Sequence, residues 1–136
     1  MLVAGDHLLG GITPTVGLYP ESRPDPLGDF LASLERTIEL APSYALPGHG
    51  EPLEDPVSRA REIVQHHRVR LDETATALAA GARTGYEVSL ALFPANLDAS
   101  GRRFALAESL AHLERLVREG RARRQGDGGT VSYTSA

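Results

Sequence analysis

The sequence has 136 residues, 41% of them hydrophobic and 24% charged. That is the composition of a folded chain with room for one ordinary domain or two small ones, and it excludes a disordered tail. It contains no cysteine, so disulfides and thiolate metal sites are excluded and any metal must be held by His, Asp, Glu or backbone oxygen. The net charge of −4 is unevenly spread: residues 1–100 carry 7 Arg against 14 acids, whereas residues 101–136 carry 7 Arg against 4. No apolar run approaches the ~20 residues of a membrane span. The opening MLVAGDHLLGG lacks the basic start and unbroken apolar stretch of a signal peptide, so a cytoplasmic location is expected.

Residues 2–5 (LVAG) read as the end of a buried strand closed by Gly5 and Asp6. Residues 7–24 are rich in Gly and Pro and read as a loop. Asp25 then caps a helix that begins with Pro26, and Leu27, Phe30, Leu31, Leu34 and Ile38 form its apolar stripe. Pro42 ends it. Residues 43–46 predict a second short strand, which runs into the turn Pro47, Gly48, His49, Gly50.

Asp55 and Pro56 repeat the cap-and-proline start. A long helix to about Ala80 follows, with Ala60, Ile63, Val64, His67, Leu71, Ala75 and Leu78 on one side and Gly81 as its C-terminal cap. Thr84 caps a short helix that stops at Pro94. A helix over 102–119 places Leu106, Leu110, Leu113 and Val117 in the core, and Gly120 closes it. Residues 121–124 and 130–134, joined by Gly126, Asp127, Gly128 and Gly129, predict a β-hairpin. Helix, short helix, helix and hairpin in this order is the pattern of a winged helix. The expected division is 1–54 and 55–136.

Two local patterns carry chemistry. In each, a residue able to bind metal follows a strand directly: Asp6 after Gly5, and His49 between Gly48 and Gly50. This position exposes a side chain on a rigid backbone, as a metal site needs. Glycines there let the chain turn sharply and approach a substrate closely. Either pattern alone is weak, and two ligands do not complete a zinc site.

Together, VAGDHLLGGITPTVGLYPESRPDPLGDFLASLERTIEL and ALPGHGEPLEDP resemble the second half of metallo-β-lactamase-fold hydrolases. The likeness is to relatives of hydroxyacylglutathione hydrolases and to a group with a C-terminal winged helix. The fold implied is α+β: the C-terminal portion of an α/β/β/α sandwich, followed by a winged-helix-like domain. The resemblance implies that Asp6 is the aspartate bridging two metal ions and that His49 is the last histidine ligand of the second. Two Zn²⁺ ions are expected in the complete enzyme, where a metal-bound hydroxide would cleave an ester, thioester or phosphodiester in a small-molecule substrate. The family's His-x-His-x-Asp-His motif is absent. The expectation is therefore a hydrolase fragment, inactive and without tightly bound zinc as this chain alone. The alternative is a non-catalytic winged-helix module that binds nucleic acid or a protein.

His7 is expected to support the site from behind rather than ligate, because strand neighbours point to opposite faces. Gly48 and Gly50 are expected to shape the ligand and substrate loop. His66 and His67 are adjacent on a helix and cannot share a metal, so His67 reads as a core residue, as does His112. Arg115, Arg118, Arg121, Arg123 and Arg124 are the candidates for nucleic-acid contact. Interleaved glutamates leave that surface little net charge for phosphate, and a packing or gating role beside the hydrolase site is the favoured reading. An uncovered sheet face predicts self-association if the chain is the whole molecule.

Overall fold

Asp25, Asp55 and Thr84 start helices where the sequence places them. The computed structural model of the protein describes residues 1–126 and 129–136. The Gly28 amide donates to Asp25 Oδ1 at 3.0 Å, and α1 runs over Pro26–Leu40. The Ser58 amide donates to Asp55 Oδ1 at 2.9 Å at the start of α2 (Pro56–Ala79). Thr84 and Glu87 form a reciprocal capping box on α3 (Gly85–Leu92), satisfying amides that the first helical turn leaves unpaired. At the other ends, Gly81 and Gly120 adopt φ of 113° and 74°, the left-handed region that glycine enters without steric cost.

Strands β1 (Leu2–Gly5) and β2 (Ala45–Pro47) pair in parallel, Leu2 opposite Ala45 and Val3 opposite Leu46, with the register slipping before Gly5. Parallel strands require a crossover connection, and α1 lies within it. β1 is not the buried strand that its composition suggests: its residues alternate between half-buried and exposed, and Val3 is 74% exposed. Ala4 packs against buried residues of the core while Val3 faces solvent.

The chain divides into two compact units. The first comprises Met1–Thr15 and Asp29–Arg68. Its core is Leu8, Leu34, Ala60, Ile63 and Val64, with Ala4, Phe30, Leu31, Ile38 and Leu53 packed against it. The second comprises Val16–Gly28 and Val69–Ala136. It contains the rest of α2, then α3, α4 (Ala99–Arg118) and the antiparallel pair β3 (Ala122–Gln125) and β4 (Ser132–Ser135). The turn expected at 126–129 includes Asp127 and Gly128, which lie outside the described residues.

Three expectations shift. On α2 the buried position is Thr74, not Ala75, because the Thr74 hydroxyl donates to the Arg70 carbonyl at 2.7 Å and so loses nothing by burial. α4 starts three residues early, because Asp98 caps it through the Gly101 amide at 2.7 Å. Its most buried residues are Ala105, Ala107, Ser109, Ala111, His112, Leu113 and Leu116. Leu106, Leu110 and Val117 are only half-buried. Even so, these leucines face α3: a Cβ on Gly85 would lie 2.6 Å from Leu110 Cδ2 and 3.2 Å from Leu106 Cδ1, so Gly85 packs directly on both side chains.

Candidate metal centre

The two strand ends bring Asp6 and His49 together across 43 positions of sequence. The Gly48 amide donates to the Gly5 carbonyl at 2.7 Å, which locks the turn after β2 to the turn after β1. His49 Nδ1 then lies 2.9 Å from Asp6 Oδ1. A carboxylate only accepts, so this ring nitrogen carries the proton. Both side chains are open to solvent, at 80% for His49 and 69% for Asp6. Gly48 is part of the cradle: a Cβ there would sit 2.6 Å from Asp6 Oδ1. Gly50 adopts φ of 85°, which turns the chain away behind His49.

The residues beyond Asp6 and His49 are tied as well. The backbone of Leu53 exchanges hydrogen bonds of 3.0 and 2.9 Å with Ala45, folding the segment after His49 back onto β2. A Cβ on Gly10 would touch Leu53 Cδ2 at 3.1 Å, so the loop after Asp6 packs closely on the loop after His49.

As a metal site the pair is suitable in chemistry and incomplete in number. Two ligands each ~2.1 Å from a zinc ion stand about 3.0–3.4 Å apart, close to the 2.9 Å between these donors. Yet among the described residues no group of three or more His, Asp or Glu side chains is placed to hold a metal. A carboxylate and an imidazole supply part of a zinc coordination shell, not the whole of it.

His7 turns away from the pair. Its ring meets Phe30 edge-on at 5.4 Å, and Nε2 lies 3.4 Å from Thr37 Oγ1. Burial, reinforced by Arg36, holds its pKa below the ordinary histidine value, favouring the neutral ring. His67 is fully buried and meets Phe30 edge-on at 5.7 Å, while His66 is exposed. His112 is buried and its Nδ1 donates to the Glu108 carbonyl at 2.8 Å.

The candidate nucleic-acid arginines are largely engaged within the second unit. Arg115 pairs with Asp25 at 2.9 Å and Glu119 at 3.1 Å, and Arg118 approaches Asp25 at 3.9 Å. Arg121 pairs with Asp72 at 2.6 Å and Arg124 with Glu114 at 3.2 Å. Among the described residues, Arg123 alone of the five has no carboxylate partner.

One residue at this centre escapes a reading of the sequence. Arg59, near the start of α2, donates to the backbone of the loop after Asp6. A basic residue four positions after the cap Asp55 is its only trace in the sequence.

Comparison with known proteins places the chain. Residues 71–136 match the family described as the metallo-beta-lactamase-like, C-terminal domain. A crystal structure of a metallo-beta-lactamase family protein from Thermus thermophilus is 41% identical, with a TM-score of 0.83 over 98% of this chain and 41% of that one. A beta-lactamase domain protein from Burkholderia ambifaria is 32% identical, with a TM-score of 0.88 over the same shares. The probable metallo-hydrolase YqjP of Bacillus subtilis (strain 168) is 29% identical over 111 residues, which are 82% of this chain and 34% of that protein. The chain thus spans 34–41% of the length of these relatives. It is an α+β protein homologous to metallo-hydrolases, and its residues 71–136 form a metallo-β-lactamase-like C-terminal domain.

Proposed function

We propose that the chain is the C-terminal part of a metal-dependent hydrolase of the metallo-β-lactamase superfamily, in the region of the hydroxyacylglutathione hydrolases. Asp6 and His49 would be two of its metal ligands. The observation that carries this reading is the 2.9 Å approach of Asp6 Oδ1 to His49 Nδ1 at two strand ends that are locked together by the bond from Gly48 to Gly5. Two zinc ions, when bound by the complete enzyme, would acidify water and stabilise the negative charge that develops on an ester, thioester or phosphodiester. Within this chain, Asp6 holds a negative charge at the ligand position and His49 offers an imidazole. Gly48 keeps the space between them open, and His7 supports the turn from its buried side. The remaining ligands would come from sequence that the relatives possess beyond the matched region.

Residues 55–136 are proposed to be a winged-helix-like domain: α2, α3 and α4 followed by β3 and β4. Ion pairing on four of the five candidate arginines favours a packing role over nucleic-acid contact. The exposed face of β1 would drive self-association of the isolated chain, which light scattering after size exclusion would register as a mass above 14.5 kDa.

Zinc titration followed at the His49 ring by ¹⁵N NMR tests the metal reading. A weak, saturable change in His49 is expected, and Asp6→Asn should abolish it. An unresponsive His49 would sink the assignment of the pair as ligands. Stoichiometric zinc surviving dialysis would contradict the incompleteness of the site.

A further inference from the structure

We propose that Arg59 is a positioning residue for the Asp6 arm of the ligand pair, acting through the backbone of the loop that follows Asp6. This rests on the reading of Asp6 and His49 as metal ligands. Each of its three guanidinium nitrogens is bonded: Nε donates to the Leu9 carbonyl at 2.7 Å, Nη2 to the Ile12 carbonyl at 3.1 Å and Nη1 to Glu62 at 3.0 Å. The side chain is 19% exposed; the bond to Leu9 is partly buried, where water competes least, while those to Ile12 and Glu62 are exposed.

The loop needs such a tie. Residues 6–15 form no helix or strand. Within the loop the His7 amide, bonded to the Ala4 carbonyl at 3.1 Å, anchors the backbone next to Asp6. Leu8 and Leu9 are buried, but Ile12 is 66% exposed. Without Arg59 the outer part of this loop has side-chain burial at one end and little else. A planar fork that reaches two carbonyls at once fixes both the distance and the orientation of the segment, which a lysine could not do.

The position of Arg59 argues in the same direction. The start of a helix carries partial positive charge, so a cation there is unfavourable. The exposed pair with Glu62 is of a kind that contributes little. Helix stability therefore does not account for arginine at this place, whereas the two carbonyls do. The geometry also couples the ligands. α2 begins shortly after Leu53, whose backbone is clipped to β2, the strand that delivers His49. Arg59 ties the Asp6 loop to the element that follows the His49 loop, so the separation of the two ligands depends on it.

The test uses the chain itself, with Arg59→Ala, Arg59→Lys and, as a control for general destabilisation, Leu34→Ala. Two quantities are read by NMR well below the melting transition: exchange at the His7 amide, and the tautomer of His49 reported by its ring nitrogens. Arg59→Ala is expected to accelerate His7 exchange by at least about tenfold, the equivalent of one lost net hydrogen bond. It should also shift His49 away from the form protonated at Nδ1. Arg59→Lys should fall between Ala and wild type. Leu34→Ala should lower the melting temperature yet leave the His49 tautomer unchanged. An unchanged His49 tautomer in Arg59→Ala would overturn the proposal, as would an equal change in Leu34→Ala. Excess zinc added to the wild type separates this from the parent reading. If His49 ignores zinc while Arg59→Ala still loosens the loop, the ligand assignment has failed and not the clamp.

Discussion

Replacing Gly48 by alanine separates the geometry of the ligand pair from the stability of the fold. Gly48 lies outside the left-handed glycines, which among the described residues are Gly5, Gly50, Gly81 and Gly120, so alanine meets no backbone penalty there. The added Cβ would lie 2.6 Å from Asp6 Oδ1 and 3.2 Å from the Gly5 carbonyl carbon. An ordinary carbon–oxygen contact is ~3.3 Å or longer, so the carboxylate must withdraw by roughly 0.7 Å. That oxygen ends an exposed, flexible side chain, and moving it costs little. The backbone of Gly5 has to give only a few tenths of an ångström. The expected loss of stability is below about 1 kcal/mol, a fall in Tm of no more than ~4 °C for a chain of this size. The consequence for the site is larger, since ligand positions tolerate only about 0.5 Å of error, and the bond from His49 to Asp6 should open. Thermal denaturation together with ¹⁵N NMR of His49 measures both. Gly50→Ala makes the opposite comparison: its φ is 85° and its Cβ would meet nothing within 4 Å. It should lose about 1–2 kcal/mol to backbone strain and keep the Asp6–His49 bond. A Gly48→Ala variant with an unchanged His49 tautomer would refute the cradle argument. So would one whose Tm collapses by more than ~10 °C, because the strain would then sit in the backbone.

Two further substitutions probe the second unit. Tyr133 is buried and its hydroxyl donates to Glu114 at 2.7 Å, so Tyr133→Phe should cost about 1–2 kcal/mol in chemical denaturation. Burial, then the Glu114 carboxylate, raises the Tyr133 pKa above its ordinary value. The folded state therefore holds this proton longer than the unfolded chain, and stability should fall as pH rises above ~10. The Phe variant should show a shallower alkaline loss, and parallel pH profiles would refute the assignment. Glu108 has a raised pKa because burial outweighs the attraction of Arg70. Its contribution is lost as pH rises from the unfolded carboxylate value through the raised folded one. Glu108→Gln should match the wild type in acid and exceed it near neutrality, and equal stability there would count against the burial cost.

The sequence reveals elements whose signal lies in large apolar residues and in caps. The stripe of Leu27, Phe30, Leu31, Leu34 and Ile38 and the caps Asp25, Asp55 and Thr84 reappear in the structure as read. It conceals elements whose signal lies in small or polar residues. Ala99, Ser100 and Gly101 look like a loop until Asp98 is seen to bond the Gly101 amide. Thr74 looks like a surface residue until its hydroxyl is seen to bond the chain one turn back. On α4, size misleads. Leu106 and Leu110 look like the core, yet Ala105, Ser109 and His112 are more buried.

The centre shows the same limit. Asp6 and His49 stand out because each follows a strand and is flanked by glycine, and glycine marks a turn in any sequence. What holds them does not stand out. Arg59 acts on backbone carbonyls 50 and 47 positions away, and a carbonyl is present at every residue, so no residue type announces the contact. The arginines of residues 101–136 also have distant partners. Counting gives that segment more Arg than acid, which looks like a basic surface. Asp25 and Asp72, both outside the segment, neutralise part of it by pairing with Arg115, Arg118 and Arg121. Phosphate binding depends on the charge left after internal pairing, not on the number of arginines. A carboxylate distant in sequence can therefore change the charge that local composition suggests, just as a distant arginine can tie down a loop that no local residue announces.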